Sequence, residues 1–320
     1  MLADLPRRVE IFEEGPRESF QIEKAPIATA DKVRFIEALA ETGVRHIQCV
    51  SFVNPKRVPG MADADLVARS ITQKPGIAYT GIWLNMQGLE RACNTPLHLS
   101  GELQLYASET FGINNSNRTN AQMLDEQRKW LAFYREHGIA LESAVLMTAF
   151  GCNFEGEVPV ERVCKQVGAM ISLAGEFGFA IPRMRLADTV GWATPKSIIR
   201  VVGALRDRWP DLPLALHLHD TRGSGLANCL AGLSMGIASF DSSCAGLGGC
   251  PFAGHAGAAG NICTEDFVFM CEEMGIETGI DLEAMAECGR MAEHIVGHPL
   301  PGKVMRAGGL RRHELPGAAA

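Results

Sequence analysis

From Arg8 onward the chain repeats one unit eight times: a short apolar run followed by a longer stretch with helical spacing of its apolar residues. Such alternation is the signature of parallel strands joined by crossover helices, because a parallel strand buried on both faces is a near-continuous apolar run. The strand candidates are Val9–Glu13, His46–Phe52, Ala78–Leu84, Leu103–Ala107, Leu141–Thr148, Met184–Asp188, Leu214–His219 and Ser239–Ser243. Helices are expected to begin near Asp31, Asp63, Gln87, Asn120, Val160, Pro195, Leu226 and Thr264. The clearest is Asn120–His137, which follows Thr119 at the capping position and stops before Gly138. Eight such pairs fit a (β/α)8 TIM barrel, whose working groups stand at the carboxyl ends of the strands. A doubly wound open sheet is the rival, since periodicity does not separate the two.

No Pro/Ser-rich linker interrupts the chain, so residues 1–320 read as a single domain. The apolar-periodic stretch Ile280–Ile295 places a C-terminal helical extension in 276–310, and 311–320 reads as a flexible tail. With 47% hydrophobic and 21% charged residues this is a chain with a full core, not a disordered one. The net charge of −7 comes without a basic run, which argues against nucleic acid and for small-molecule chemistry. Ten cysteines without a C-x-x-C pair read as reduced thiols. No signal-peptide core and no apolar run of roughly 18 residues are present, so a cytoplasmic protein with no membrane partner is expected.

Three segments carry candidate chemistry. In Leu216-His217-Leu218-His219-Asp220, residues two apart on a strand share a face, so both imidazoles enter one space and suit a divalent metal. A hydrogen-bonded pair of core histidines is the alternative, because H-x-H alone is a weak pattern. Gly15-Pro16-Arg17-Glu18 follows the first strand, where a barrel opens a catalytic loop. There Arg17 offers fixed donors for an oxyanion and Glu18 a hard oxygen ligand or a base; a turn with a solvated ion pair is the plainer reading. Between Ala245 and Gly260, six glycines in sixteen residues suggest a lid after the last strand, or a slack loop. Cys250 is a proton donor or nucleophile there only if its thiol pKa is shifted, and Asn261 stands where a helix cap is common.

Taken with Gln21-Ile22-Glu23-Lys24, Ser51-Phe52-Val53-Asn54-Pro55-Lys56, Asp188-Thr189-Val190-Gly191, Asp241-Ser242-Ser243 and Gly246-Leu247-Gly248-Gly249-Cys250-Pro251, these segments resemble the 3-hydroxy-3-methylglutaryl-CoA lyase family. That family lies within the metal-dependent barrel lyases and Claisen-type synthases, and the resemblance runs from about Arg8 to Val304. It implies a Mg²⁺ or Mn²⁺ ion held by Glu18, His217, His219 and Asn261. It also implies retro-Claisen cleavage of an acyl-CoA to a keto acid and acetyl-CoA, with Arg17 on the enolate, Cys250 as the lid acid and Asp188 in support. Lys24 and Lys56 are candidates for the CoA phosphates, and a homodimer formed through outer helices is common for such barrels.

Three departures from the family pattern sit at the reacting centre. Glu18 replaces the usual Asp, Gln48 replaces the usual Glu, and the stretch from Cys250 to Asn261 is two residues longer and contains His255. They keep three functions in play: an active lyase on a 3-hydroxy-3-methylglutaryl-CoA-like thioester; a paralogue with another branched 3-hydroxyacyl-CoA or running the condensation; and a silent metal or acyl-CoA binder.

Overall fold

The computed structural model describes residues 5–23, 25–249 and 260–310; Lys24, Cys250, His255 and the expected tail 311–320 lie outside them. The elements in chain order are β1 (Glu10–Glu13), α1 (Gly15–Ile22), α2 (Thr29–Leu39), β2 (His46–Ser51), α3 (Ala64–Ser70), β3 (Ala78–Ile82), α4 (Met86–Cys93) and β4 (Gly101–Tyr106). There follow α5 (Glu109–Ser116), α6 (Asn120–His137), β5 (Leu141–Met147), the hairpin β6 (Gly151–Cys152) and β7 (Gly156–Glu157), and α7 (Val160–Glu176). The chain continues through β8 (Met184–Ala187), α8 (Pro195–Arg208), β9 (Leu214–His217), α9 (Gly225–Ser234), β10 (Ser239–Ser242) and α10 (Thr264–Glu273). Two helices, α11 (Leu282–Val296) and α12 (Val304–Ala307), make the C-terminal segment.

All eight expected strands form, and all pair in parallel in the order β3-β2-β1-β10-β9-β8-β5-β4. Each neighbour in the sheet is the neighbour in sequence, with the last strand beside the first. An open doubly wound sheet reverses order at a switch point, so this order excludes the rival fold. The ring narrows between β3 and β4 to a single bridge, Thr80 to His98, where the His98 N–H donates to the Tyr79 carbonyl at 2.8 Å.

Local signals explain where helices begin and end. Thr119 and Gln122 form a capping box before α6, and Gly138, in the left-handed region (φ 66°), ends it. Thr194 and Pro195 open α8 in the same way. Two helices escaped the apolar pattern. In α5, Ser108 caps a segment with little sidedness. In α1, the segment read as a catalytic loop is helical: Pro16 sits in the first turn, where no N–H is needed, and the Glu18 N–H already donates to the Glu14 carbonyl at 2.9 Å.

The core lies between strands and helices, where Ile11, Ile47, Leu103, Leu105, Ala144, Leu146, Leu186, Leu216 and Phe240 are buried. Alternate residues face the barrel axis, and this inner set is polar. Arg185 reaches across the axis to Glu14 (2.8 Å), Asp241 (2.8 Å) and Glu102. Arg183 pairs with Asp241, donates to Ser239 Oγ (2.8 Å) and lies over the Phe12 ring, which stacks on His46. Every buried charge here has an opposite partner, which is the condition for burying it at all. Among the described residues no helix is long and apolar enough to cross a membrane.

Candidate active site

The chemistry gathers at the carboxyl ends of β1, β2, β9 and β10. Helix α1 places Glu14 and Arg17 three residues apart, hence on one face. Arg17 donates from Nη2 to Glu14 (2.6 Å), from Nη1 to Glu18 and from Nε to Gln48 Oε1. Three of its five N–H groups are thus engaged, leaving one on each Nη for another acceptor. Burial works to raise the Glu18 pKa, but the Arg17 guanidinium and the two imidazoles hold it below the usual range. Glu18 is therefore an anion at neutral pH.

His217 ends β9; His219 lies beyond it, in an antiparallel bridge with Asn261. The Asp220 N–H donates to Gly260 O (2.7 Å) and the Ile262 N–H to Leu218 O (3.0 Å). Residues 260–262 are thus laid against 218–220, which carries Asn261 to the site. The two histidines do share a space: their Nε2 atoms face each other at 3.2 Å. His217 Nδ1 is 3.2 Å from Asp241 Oδ2 and 3.5 Å from Glu14 Oε2. Asp241 is an anion, held well below its usual pKa despite burial by Arg183 and Arg185. His217 thus donates from Nδ1 to Asp241; burial lowers its pKa, but Asp241, Glu14 and Glu18 push it up, and Nε2 faces the centre, the arrangement that orients a metal-binding imidazole. Burial and the neighbouring His217 push His219 down to about 3, so it is neutral.

Asn261 donates through Nδ2 to Leu247 O (3.1 Å) and lies 3.5 Å from Glu18 Oε2. Its Oδ1 accepts no hydrogen bond among the described residues, and the buried Nδ1 of His219 has no partner there either. Two imidazoles, an anionic carboxylate and an amide oxygen are a donor set that suits a divalent cation of intermediate hardness. Glu14, Glu18 and His217 also offer atoms within 4.8 Å of one another.

The glycines flanking the lid are fixed by close approach. A Cβ on Gly248 (φ 90°) would stand 2.5 Å from Glu18 Cβ and 2.8 Å from Asn261 Nδ2. A Cβ on Gly260 would overlap the Gly248 carbonyl oxygen. Residues 246–249 and 260 are accordingly not slack chain but packed onto the ligand residues.

The other sequence candidates stand apart. Asp188 is buried and pushed up to about 6 by burial; its Oδ1 accepts from the Trp192 N–H (2.6 Å) and its own N–H donates to His217 O (2.8 Å). Its side chain caps its own turn and touches none of the ligand candidates, its N–H reaches the His217 backbone, and its Oδ2 has no partner among the described residues. Lys56 is exposed in a turn after β2, where its N–H donates to Asn54 Oδ1. A cavity of about 850 Å³ opens at the opposite end of the barrel and holds none of these residues.

Four residues missed in the sequence matter here: Glu14, Glu102, Arg185 and Asp241. Arg185 was the findable one, a charge inside an otherwise apolar strand run, which demands buried partners. Asp241 stood in a family signpost without a role.

The HMGL-like family model matches residues 8–292, from the strand-one entrance into α11. The chain belongs to the HMGL-like family. Members of this family depend on a divalent metal, and the donor set above is of the kind such an ion takes. Among HMGL-like relatives, the chain is 38% identical over 298 residues to hydroxymethylglutaryl-CoA lyase YngG of Bacillus subtilis, covering 93% of this chain and 96% of that one. It is 35% identical over 296 residues to a 3-hydroxy-3-isohexenylglutaryl-CoA/hydroxymethylglutaryl-CoA lyase of Pseudomonas aeruginosa, covering 92% and 95%. An HMG-CoA lyase of Acinetobacter baumannii, solved with coenzyme A and 3-methylmalate, superposes with a TM-score of 0.86 at 36% identity, covering 97% and 98%.

Proposed function

We propose that this chain is a divalent-metal-dependent carbon–carbon lyase that splits a 3-hydroxy-3-methylglutaryl-CoA-like thioester into a 3-keto acid and acetyl-CoA. The observation that carries the reading is the convergence of Glu18, His217, His219 and Asn261 from three separate segments, with Arg17 beside them. Those four residues would hold the ion, Mg²⁺ or Mn²⁺. When bound, the ion supplies Lewis acidity, making the tertiary hydroxyl of the substrate easier to deprotonate. Loss of that proton turns C3 into a ketone as the C2–C3 bond breaks, and the electron pair goes to the thioester as an enolate. Arg17 meets the enolate oxygen with its two unused N–H groups. Gln48, a neutral acceptor, holds Arg17 Nε without adding a third carboxylate around the guanidinium. Cys250 delivers the proton to C2, and Asp188 supports His217 through the backbone.

Glu18 and Gln48 favour a second reading of the substrate. Both stand at the reacting centre, and the Pseudomonas relative is named for two 3-hydroxyglutaryl thioesters that differ at C3. A bulkier C3 branch than methyl fits a retuned site. The test is a panel of 3-hydroxy-3-alkylglutaryl-CoA thioesters assayed with Mg²⁺ and with Mn²⁺, following acetyl-CoA and keto acid. Cleavage of none of them, with either metal, would sink the proposal in favour of a binding protein.

A further inference from the structure

Glu14 stands outside the ligand set and outside the roles assigned above, yet it touches both Arg17 and His217. Its Oε2 accepts from Arg17 Nη2 at 2.6 Å, its Oε1 from Arg185 Nη1 at 2.8 Å, and Oε2 lies 3.5 Å from His217 Nδ1. It is 2% exposed. Proximity alone puts it in a metal-ligand group with Glu18 and His217. Two facts turn it away from that role. Both oxygens already face guanidinium groups, and the His217 nitrogen it approaches carries the proton donated to Asp241.

We infer that Glu14 is a positioning residue: with Arg185 behind it, it is the fixed dock that holds the Arg17 guanidinium towards the substrate enolate. The inference rests on the proposed lyase reading for Arg17. Glu18 cannot be that dock by itself, because its other oxygen lies towards Asn261 and is committed to the ion. Gln48 holds only Nε and leaves the two Nη groups free to swing. Arg185 makes the dock rigid, since Asp241 and Glu102 fix its own guanidinium from two further sides. Charge alone does not explain the arrangement: a carboxylate with one guanidinium on each oxygen defines an orientation, which an isolated pair does not.

Glu14→Gln is the sharp test, because an amide has an acceptor on one side only and turns its NH2 donor towards one of the two guanidinium groups. The fold is expected to survive, as Arg185 keeps Asp241 and Glu102. The variant should bind Mn²⁺ within about twofold of wild type by calorimetric titration, with kcat down on the order of 100-fold and KM within about threefold. Arg185→Lys, which removes one side of the dock, should show the same split at smaller size and stands in if Glu14→Gln does not fold. Methylguanidinium should bind the Arg17→Ala protein and restore part of its turnover, and should do neither in Arg17→Ala/Glu14→Gln. A tenfold loss of Mn²⁺ affinity in Glu14→Gln would make Glu14 a ligand and overturn the inference. Equal methylguanidinium binding in the single and double variants would reduce it to a structural ion pair. A wild type that cleaves no thioester removes the lyase reading, while the methylguanidinium titration still decides whether Glu14 docks a guanidinium.

Discussion

His217 and His219 point their Nε2 atoms at each other across 3.2 Å, with the far nitrogen of His217 held by Asp241. A divalent cation would take the place of the proton shared between them. His217→Ala or His219→Ala should each weaken Mn²⁺ binding at least 100-fold in a calorimetric titration and abolish turnover with it. Asp241 keeps Arg183 and Arg185, so the melting temperature should change little. Unchanged affinity in both variants would remove the metal assignment.

Gly248 combines a left-handed φ of 90° with a Cβ position 2.5 Å from Glu18 Cβ. Gly248→Ala should therefore displace Glu18 and Asn261, lowering Mn²⁺ affinity at least tenfold and kcat/KM further. Gly223→Ala is the control: φ is 74° there and nothing lies within 4 Å of the added Cβ. It carries the backbone strain alone, about 1 kcal/mol, and should leave metal binding intact. Equal behaviour of the two variants would show that the approach to Glu18 does not matter.

Glu18 spans two duties, one oxygen to Arg17 and the other towards Asn261. A side chain one methylene shorter cannot reach both. Glu18→Asp is expected to lose about 10- to 100-fold in kcat/KM and to bind Mn²⁺ more weakly. Gln48→Glu places a third carboxylate beside Arg17 and should not rescue it. A double variant faster than wild type on every thioester would show a decayed site in place of a retuned one.

Glu13 is fully buried beneath the site, accepting from the Gly15 and Cys244 N–H groups and the Thr264 hydroxyl. Burial raises its pKa from 4.5 to about 7 in spite of those donors. The folded state thus binds this proton more tightly than the unfolded state. The stabilisation is full below pH 4.5 and is lost as pH rises through about 7. At pH 8 the loss is on the order of 3 kcal/mol. Glu13→Gln should flatten that part of the decline, so urea unfolding at pH 5 and pH 8 should differ less in the variant than in wild type. An equal pH dependence in both proteins would place the titration elsewhere.

The barrel was legible because its signal is local and repeated: eight apolar runs, with the cap at Thr119 and the stop at Gly138, each report on their own segment. Helix α1 was not, because Gly15 and Pro16 are turn residues in isolation and become a helix start only once Glu13, accepting from the Gly15 and Cys244 N–H groups, holds the entry. Arg17, Glu18, His217, His219 and Asn261 were findable as motif residues, and the fold brings them together. Arg185 was findable only as a charge inside an apolar strand run, without its partners; Glu14 and Asp241 were not, since what they do rests on Arg185 and they are distant from it in sequence. Asp188 is a motif residue whose side chain caps its own turn and whose N–H donates to the His217 carbonyl.

The neck formed by Gly248 and Gly260, with the His219–Asn261 bridge beside it, anchors both ends of the intervening chain independently of what lies between. Lengthening a loop of about ten residues by two changes its closure free energy by only about 0.2 kcal/mol. The two extra residues and His255 therefore need not disturb the ligand residues at the neck. Ion chemistry and lid composition become separable traits, so a lineage can trial new lids over an unchanged centre, and selection for a different acyl group has a place to act that leaves bond cleavage intact.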